Sequence, residues 1–218
     1  MGVLVMVIGK SGSGKSTSLR NFPEGSIGVL NVASKPLPFR KHLPTINGAG
    51  YATIRAALGQ NDYRAYAVDD STYLMQFAMF DHAKEQGYGK FTTMAVDFKG
   101  LLDAAARTSP DTIVYFLHHP QFGEDGSSKP QTVGKMLDNQ LCVEGLFPIV
   151  LECDIRDGKH VFLTQTDGSG IAKAPVDVET GERMLPEVMP NDLYQVDAAI
   201  REWWGLAPLL DQVVEVDE

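Results

Sequence analysis

Gly9, Ser11, Gly12, Ser13, Gly14, Lys15, Ser16 and Thr17 stand close together in the run VIGKSGSGKST and fit the spacing G-x-x-x-x-G-K-[ST]. Glycines at these positions let successive backbone N–H groups turn inward around phosphate oxygens, and the start of a following helix adds partial positive charge. Lys15 is placed to reach the β and γ phosphates of a nucleoside triphosphate. The Ser16 hydroxyl is placed to join the oxygen shell of Mg²⁺. A nucleoside triphosphate with Mg²⁺ is therefore the expected ligand.

Such a site needs a carboxylate at the carboxyl end of a neighbouring strand to hold the metal shell, and often another to orient water. The segment AVDDST supplies Asp69 for the metal and Asp70 to polarise the water. Adjacent side chains on a strand point to opposite faces, which counts against the second assignment. An Asp before Ser-Thr is also a good helix cap. His118 ends another strand, expected beside the strand that leads into the loop, where a polar side chain can sense the γ-phosphate. Only one of His118 and His119 can easily face the nucleotide, and a histidine at a strand end can instead satisfy backbone groups.

These side chains need a sheet to hold them. Val3 to Ile8 is a continuous apolar run, as expected of a central parallel strand buried on both faces. Further strands are expected at Ile27 to Val32, Arg64 to Val68 and Thr112 to Leu117. Helices are expected at Tyr51 to Leu58, Thr72 to Gln86 and Thr92 to Arg107, and STSLRNF can open one directly after the loop. The Pro-rich KPLPFRKHLP reads as an ordered loop or a flap over the site. LFPIVLECDI and KHVFLTQTD read as two strands joined by a tight turn at Asp157-Gly158. The fold class is therefore α/β, a mainly parallel sheet flanked by helices with an antiparallel C-terminal hairpin. Residues 1–200 are expected to form one domain and residues 201–218 a C-terminal segment with an acidic tail.

The chain has 218 residues, 44% hydrophobic and 22% charged, which suits one globular core and argues against disorder. Its net charge of −9 argues against coating nucleic acid by bulk charge but leaves room for a local basic groove. The apolar start is too short to span a membrane and lacks a basic region before it, so neither export nor membrane insertion is expected. Met6 stands where a myristoylation motif needs Ser or Thr. Cys142 and Cys153 have neither the spacing nor the supporting histidines of a disulfide framework or a zinc site, and a reducing cytoplasm is expected.

Taken together, GKSGSGKST, NVASKPLPFR, AVDDST, VYFLHH, TVGKMLDNQLCVEGLFPIVL, FLTQTDGSGIAKAP and PNDL span most of residues 3 to 193. In these segments the chain resembles the phage RecA-like ATPases, in particular the single-strand annealing proteins of the Sak group. The resemblance implies a RecA-like core, Mg²⁺-dependent ATP hydrolysis, a homo-oligomeric ring or filament, and annealing or recombination of single-stranded DNA in the cytoplasm of a phage-infected bacterium. A single-strand-binding protein is a further expected partner. Ala33 stands where relatives often carry an acidic residue, so a glutamate from this strand is not expected to activate water, and either slow hydrolysis or a role for Asp70 follows.

In RecA-like assemblies a lysine from the neighbouring subunit can complete the site, and Lys135 and Lys173 are the candidates. The loop from His119 to Lys135 is long enough to carry function. Within it Lys129 and Lys135 would meet DNA phosphates and Phe122 would stack on a base, with Lys90 in a second, weaker cluster near Tyr88 and Phe91. Ordinary solvated lysines and core aromatics are the plain alternative, as is core packing for Trp203 or Trp204, which could otherwise anchor a neighbour. A protein-remodelling or helicase-loading ATPase would share the core. A small-molecule kinase fits the size, but no arginine-rich lid stands out.

Overall fold

Val3–Ile8 forms β1, and its alternating side chains divide the core into two layers. Leu4, Met6 and Ile8 enter one layer, and Val5 and Val7 enter the other. The computed structural model describes residues 1–124, 127–134, 141–166, 168 and 170–210.

The other strands are β2 (Gly28–Asn31), β3 (Thr45–Asn47), β4 (Ala65–Asp69), β5 (Ile113–His118), β6 (Pro120–Phe122), β7 (Ser128–Pro130), β8 (Ile149–Arg156), β9 (Lys159–Leu163) and β10 (Val188–Pro190). Eight of them form one sheet in the order β10-β9-β8-β1-β5-β4-β2-β3, while β6 and β7 pair separately. From β8 across to β3 every pairing is parallel, and β9 and β10 add an antiparallel end. Helices α1 (Tyr51–Gln60), α2 (Thr72–Asp81) and α3 (Gly89–Ala106) cover the Leu4 face. Helix α4 (Leu193–Trp204) and a short 3-10 helix, Ser16–Asn21, cover the Val5 face. The α/β architecture with a mainly parallel sheet is thus as the alternating pattern required.

The hairpin β8–β9 closes at Asp157 and Gly158, both at positive φ (51° and 72°). Arg156 pairs with Lys159 directly across that two-residue turn, the geometry expected of Asp-Gly.

Several expectations are corrected. The helix after the glycine loop is a six-residue 3-10 helix because Pro23 follows closely. An α-helix running into Pro23 would place its ring against the Leu19 carbonyl, which instead accepts from the Phe22 N–H. Helix α2 stops at Asp81 rather than Gln86; the Glu85 carbonyl beyond it accepts from Lys90 Nζ at 3.0 Å. The stretch after His119 carries β6 and β7 where a plain loop was expected, with Gln121 opposite Lys129.

Helix α4 runs unbroken to Trp204 across the expected boundary between residues 200 and 201. Arg201 is buried, paired with Asp197, and donates to the carbonyls of Asp111, Ala207 and Arg64. The helix ends at Gly205, in the left-handed conformation that glycine adopts without strain (φ 62°). Trp203 packs on the Val5-side core and Trp204 stays partly exposed. The acidic tail, residues 211–218, lies outside the described residues.

Candidate functional site

Parallel strands deliver their carboxyl ends to one edge of the sheet, where ligands of α/β proteins bind. Here that edge gathers the loop after β1, Lys35 after β2, Asp69 at the end of β4 with Asp70 after it, and His119 after β5. They line a cavity of about 270 Å³ that also includes Ser11, Gly12, Gly14, Lys15, Ser16, Thr17, Pro36, Pro38 and His160.

The loop depends on its glycines for two different reasons. Gly12 and Gly14 have φ of 78° and 103°, which side chains rarely adopt. Gly9 is needed for space: a Cβ there would run into Ser13 Oγ and lie 2.7 Å from Cys153 Cβ. The loop is braced from β9, where His160 Nδ1 lies 2.9 Å from the Ser13 carbonyl. Ser13 is itself buried, whereas Ser11 is exposed at the loop crest.

Lys15 is only 6% exposed. Its ammonium donates to the carbonyls of Gly9 at 2.7 Å and Lys10 at 3.1 Å, spanning the loop from beneath. Burial lowers its pKa, against the opposing pull of Cys153, Asp70 and Asp69. Ser16 Oγ donates to Asp69 Oδ1 at 2.8 Å. Burial raises the pKa of Asp69, and the Ser16 hydrogen bond opposes that rise.

Asp70 does not follow the strand alternation. β4 ends at Asp69, and Asp70 takes a left-handed conformation (φ 59°) that swings its carboxylate into the same cavity. There it pairs with Lys35 Nζ at 2.8 Å, with His119 Nε2 more distant at 3.5 Å. Burial pushes its pKa up, but His119 and Lys35 outweigh burial and hold it down to about 2. Neither carboxylate caps α2, whose N-cap Ser71 makes no side-chain capping bond.

The two histidines divide in a way the strand pattern alone left open. His118 is fully buried, with Nδ1 2.9 Å from Ser71 Oγ and Nε2 2.8 Å from the Gln131 carbonyl. The proton therefore sits on Nε2, and burial pushes the pKa down to about 4 against the Gln131 bond. His118 was expected to face the nucleotide; the structure turns it into the core and places His119 on the cavity instead, with Nδ1 3.4 Å from Lys15 Nζ and its ring edge-on to Tyr73. A strand-end residue points into one layer, and here that layer is the Leu4-side core, where His118 lies against Phe98.

The remaining candidates scatter. Phe122 and Lys129 share the β6–β7 hairpin, and the ammonium of Lys10, from the glycine loop, sits 4.7 Å above the half-exposed Phe122 ring. A second cavity, of about 480 Å³, opens between the loop, Phe122, Glu152 and Ile155. Lys90 lies apart in the first turn of α3, bonded to the carbonyls that follow α2. The backbone of Lys173 pairs with Val150 of β8, and its side chain does not line the cavity around Lys15. Lys135 lies outside the described residues.

Lys35 and Tyr73 were missed by sequence reasoning, and His119 was named there only as the alternative to His118. Lys35 stands in the Pro-rich segment read as a flap, and Pro36 and Pro38 do line the cavity, yet a single lysine before a proline has no spacing that marks it.

The donor set suits a magnesium nucleotide. Ser16 and Asp69 offer hard oxygen ligands, while Gly12, Gly14 and Lys15 form a cradle for phosphates. Among the described residues no group of three or more His, Cys, Asp or Glu forms a metal cage; a Mg²⁺ that keeps its waters and bridges phosphates needs none. No helix among the described residues is long and apolar enough to cross a membrane. The chain matches no protein-family profile, and no curated protein matches it.

Proposed function

We propose that this protein binds ATP with Mg²⁺ and hydrolyses it on a RecA-like core, and that it uses the cycle to anneal or recombine single-stranded DNA as a homo-oligomer in the host cytoplasm. The observation that carries the nucleotide part is the Ser16–Asp69 hydrogen bond beside Lys15. It brings a hydroxyl, a carboxylate and an ammonium to one glycine loop, the set that a Mg²⁺–triphosphate requires.

In this reading the N–H groups of Gly12 to Ser16 and the Lys15 ammonium receive the phosphates. Ser16 and Asp69 hold the magnesium shell, and bound Mg²⁺ supplies charge neutralisation at the phosphate oxygens. Asp70 orients and polarises the attacking water. His119, rather than His118, is the imidazole positioned to respond to loss of the terminal phosphate.

The DNA part is supported by the resemblance to the Sak group and by the β6–β7 hairpin. That hairpin follows directly on His119, presents Phe122 and carries Lys129; the contact of Lys10 with Phe122 links it to the phosphate loop. A second reading, an ATPase that loads or remodels a replication protein, is favoured by the net charge of −9 and by exposed Phe77, Phe80 and Tyr88.

The deciding experiment is ATP turnover with and without single-stranded DNA at two salt concentrations, with Lys15→Ala as the blank. Stimulation that fades with salt supports the DNA reading. Turnover indifferent to DNA supports the remodelling reading, and full turnover by Lys15→Ala overturns the site itself.

A further inference from the structure

We propose that Lys35 is a γ-phosphate contact supplied by the same chain: it exchanges its ion pair with Asp70 for the terminal phosphate and so makes the site select triphosphate over diphosphate. This rests on the nucleotide reading above and adds a residue that the loop motif does not contain.

The backbone of Lys35 is held, while its side chain is mostly exposed. Asn31, buried at the end of β2, donates to the Lys35 carbonyl at 2.6 Å and to Asn47 Oδ1 at 2.9 Å. Asn31 is also in register with Asp69 of β4, so one buried amide ties the position of Lys35 to that of the metal carboxylate. On either side the chain is constrained. Ser34 is held at φ 56°, an uncommon conformation for a residue with a side chain, and Pro36 restricts Lys35 to extended backbone. Such ordering is more than a solvated lysine in a loose loop requires.

The ammonium, by contrast, has room to move. The Lys35 side chain is 59% exposed, at the rim of the cavity whose floor holds Lys15, Ser16 and Asp69. It rests 4.8 Å from the centre of the Tyr73 ring and 2.8 Å from Asp70. An ion pair with so exposed a partner is weak and easily broken. A terminal phosphate entering this cavity carries more negative charge than one carboxylate and offers several acceptor oxygens to the three ammonium donors. Departure of that phosphate returns Lys35 to Asp70. A diphosphate, lacking the group nearest the rim, leaves the ion pair in place.

The test is equilibrium binding of a non-hydrolysable ATP analogue and of ADP, each with Mg²⁺, to the wild-type chain, Lys35→Ala, Lys35→Arg and Lys15→Ala. Lys35→Ala is expected to weaken the triphosphate analogue about tenfold, about 1.4 kcal/mol, and to leave ADP within about twofold. Lys35→Arg, which keeps the charge, should recover most of the loss. Equal losses for both ligands, or none for either, overturn the role of Lys35 while leaving the nucleotide site standing, provided Lys15→Ala binds neither. Failure of the wild-type chain to bind either nucleotide overturns both.

Discussion

Ser16 donates to Asp69 across 2.8 Å, although β5 lies between the strands from which the two residues emerge. The pair therefore exists only when three neighbouring strands are in register, Ile8 with His118 and Val68 with Phe116. Asp69→Asn keeps an acceptor for Ser16 and removes the charge. Turnover is expected to fall by about 100-fold or more as metal stabilisation is lost. Nucleotide binding in EDTA should change little, so the ratio of affinities with Mg²⁺ and with EDTA is the measurement.

Gly9→Ala tests the tight base of the loop. The added methyl group meets Ser13 Oγ and Cys153 Cβ, and overpacking of this kind costs about 1–3 kcal/mol. Chemical denaturation should show that loss. Gly9→Ala should also weaken nucleotide binding by distorting the loop, and the companion Gly9→Ala/Cys153→Gly, which removes one of the two obstacles, should recover part of that affinity.

His118 makes stability depend on pH. Its pKa is pushed down to about 4 in the folded chain by burial, against an ordinary value of 6.5. The unfolded chain thus binds the extra proton first. The contribution of His118 is fully present above pH 6.5 and is lost as pH falls toward 4, amounting to about 2 kcal/mol by pH 5. Urea denaturation at pH 7.5 and pH 5 measures it. In His118→Gln the difference between the two pH values should shrink by about that amount, and an unchanged difference would refute the assignment.

The clamp at the amino-terminal edge of the sheet is separable from the site. Arg201 pairs with Asp197, which also accepts from Tyr115 at 2.9 Å, and all three side chains are buried. Arg201→Ala leaves a buried carboxylate unpaired and should cost about 3–5 kcal/mol. Adding Asp197→Asn should return part of it. Because the clamp and the glycine loop lie at opposite ends of the strands, the nucleotide affinity of the folded fraction should stay within about twofold of wild type.

What the sequence by itself determined was local. The glycine-lysine-serine spacing marks the loop, the apolar run Val3 to Ile8 marks a doubly buried strand, and Asp157-Gly158 marks a hairpin turn, because each depends on neighbours within a few residues. Short elements carried too little pattern: β3, β6, β7 and β10 have three residues each, less than two periods of strand alternation. The tertiary structure alone decided which of His118 and His119 faces the cavity, because that depends on where β5 ends relative to the layer beneath it. It also decided that Asp70 joins Asp69, through a left-handed turn that strand alternation does not anticipate. Lys35 is the clearest case: it reaches Asp70 from a strand two places from β5 and four loop residues beyond Asn31, a meeting that sheet order and one buried amide create and that no spacing along the chain records.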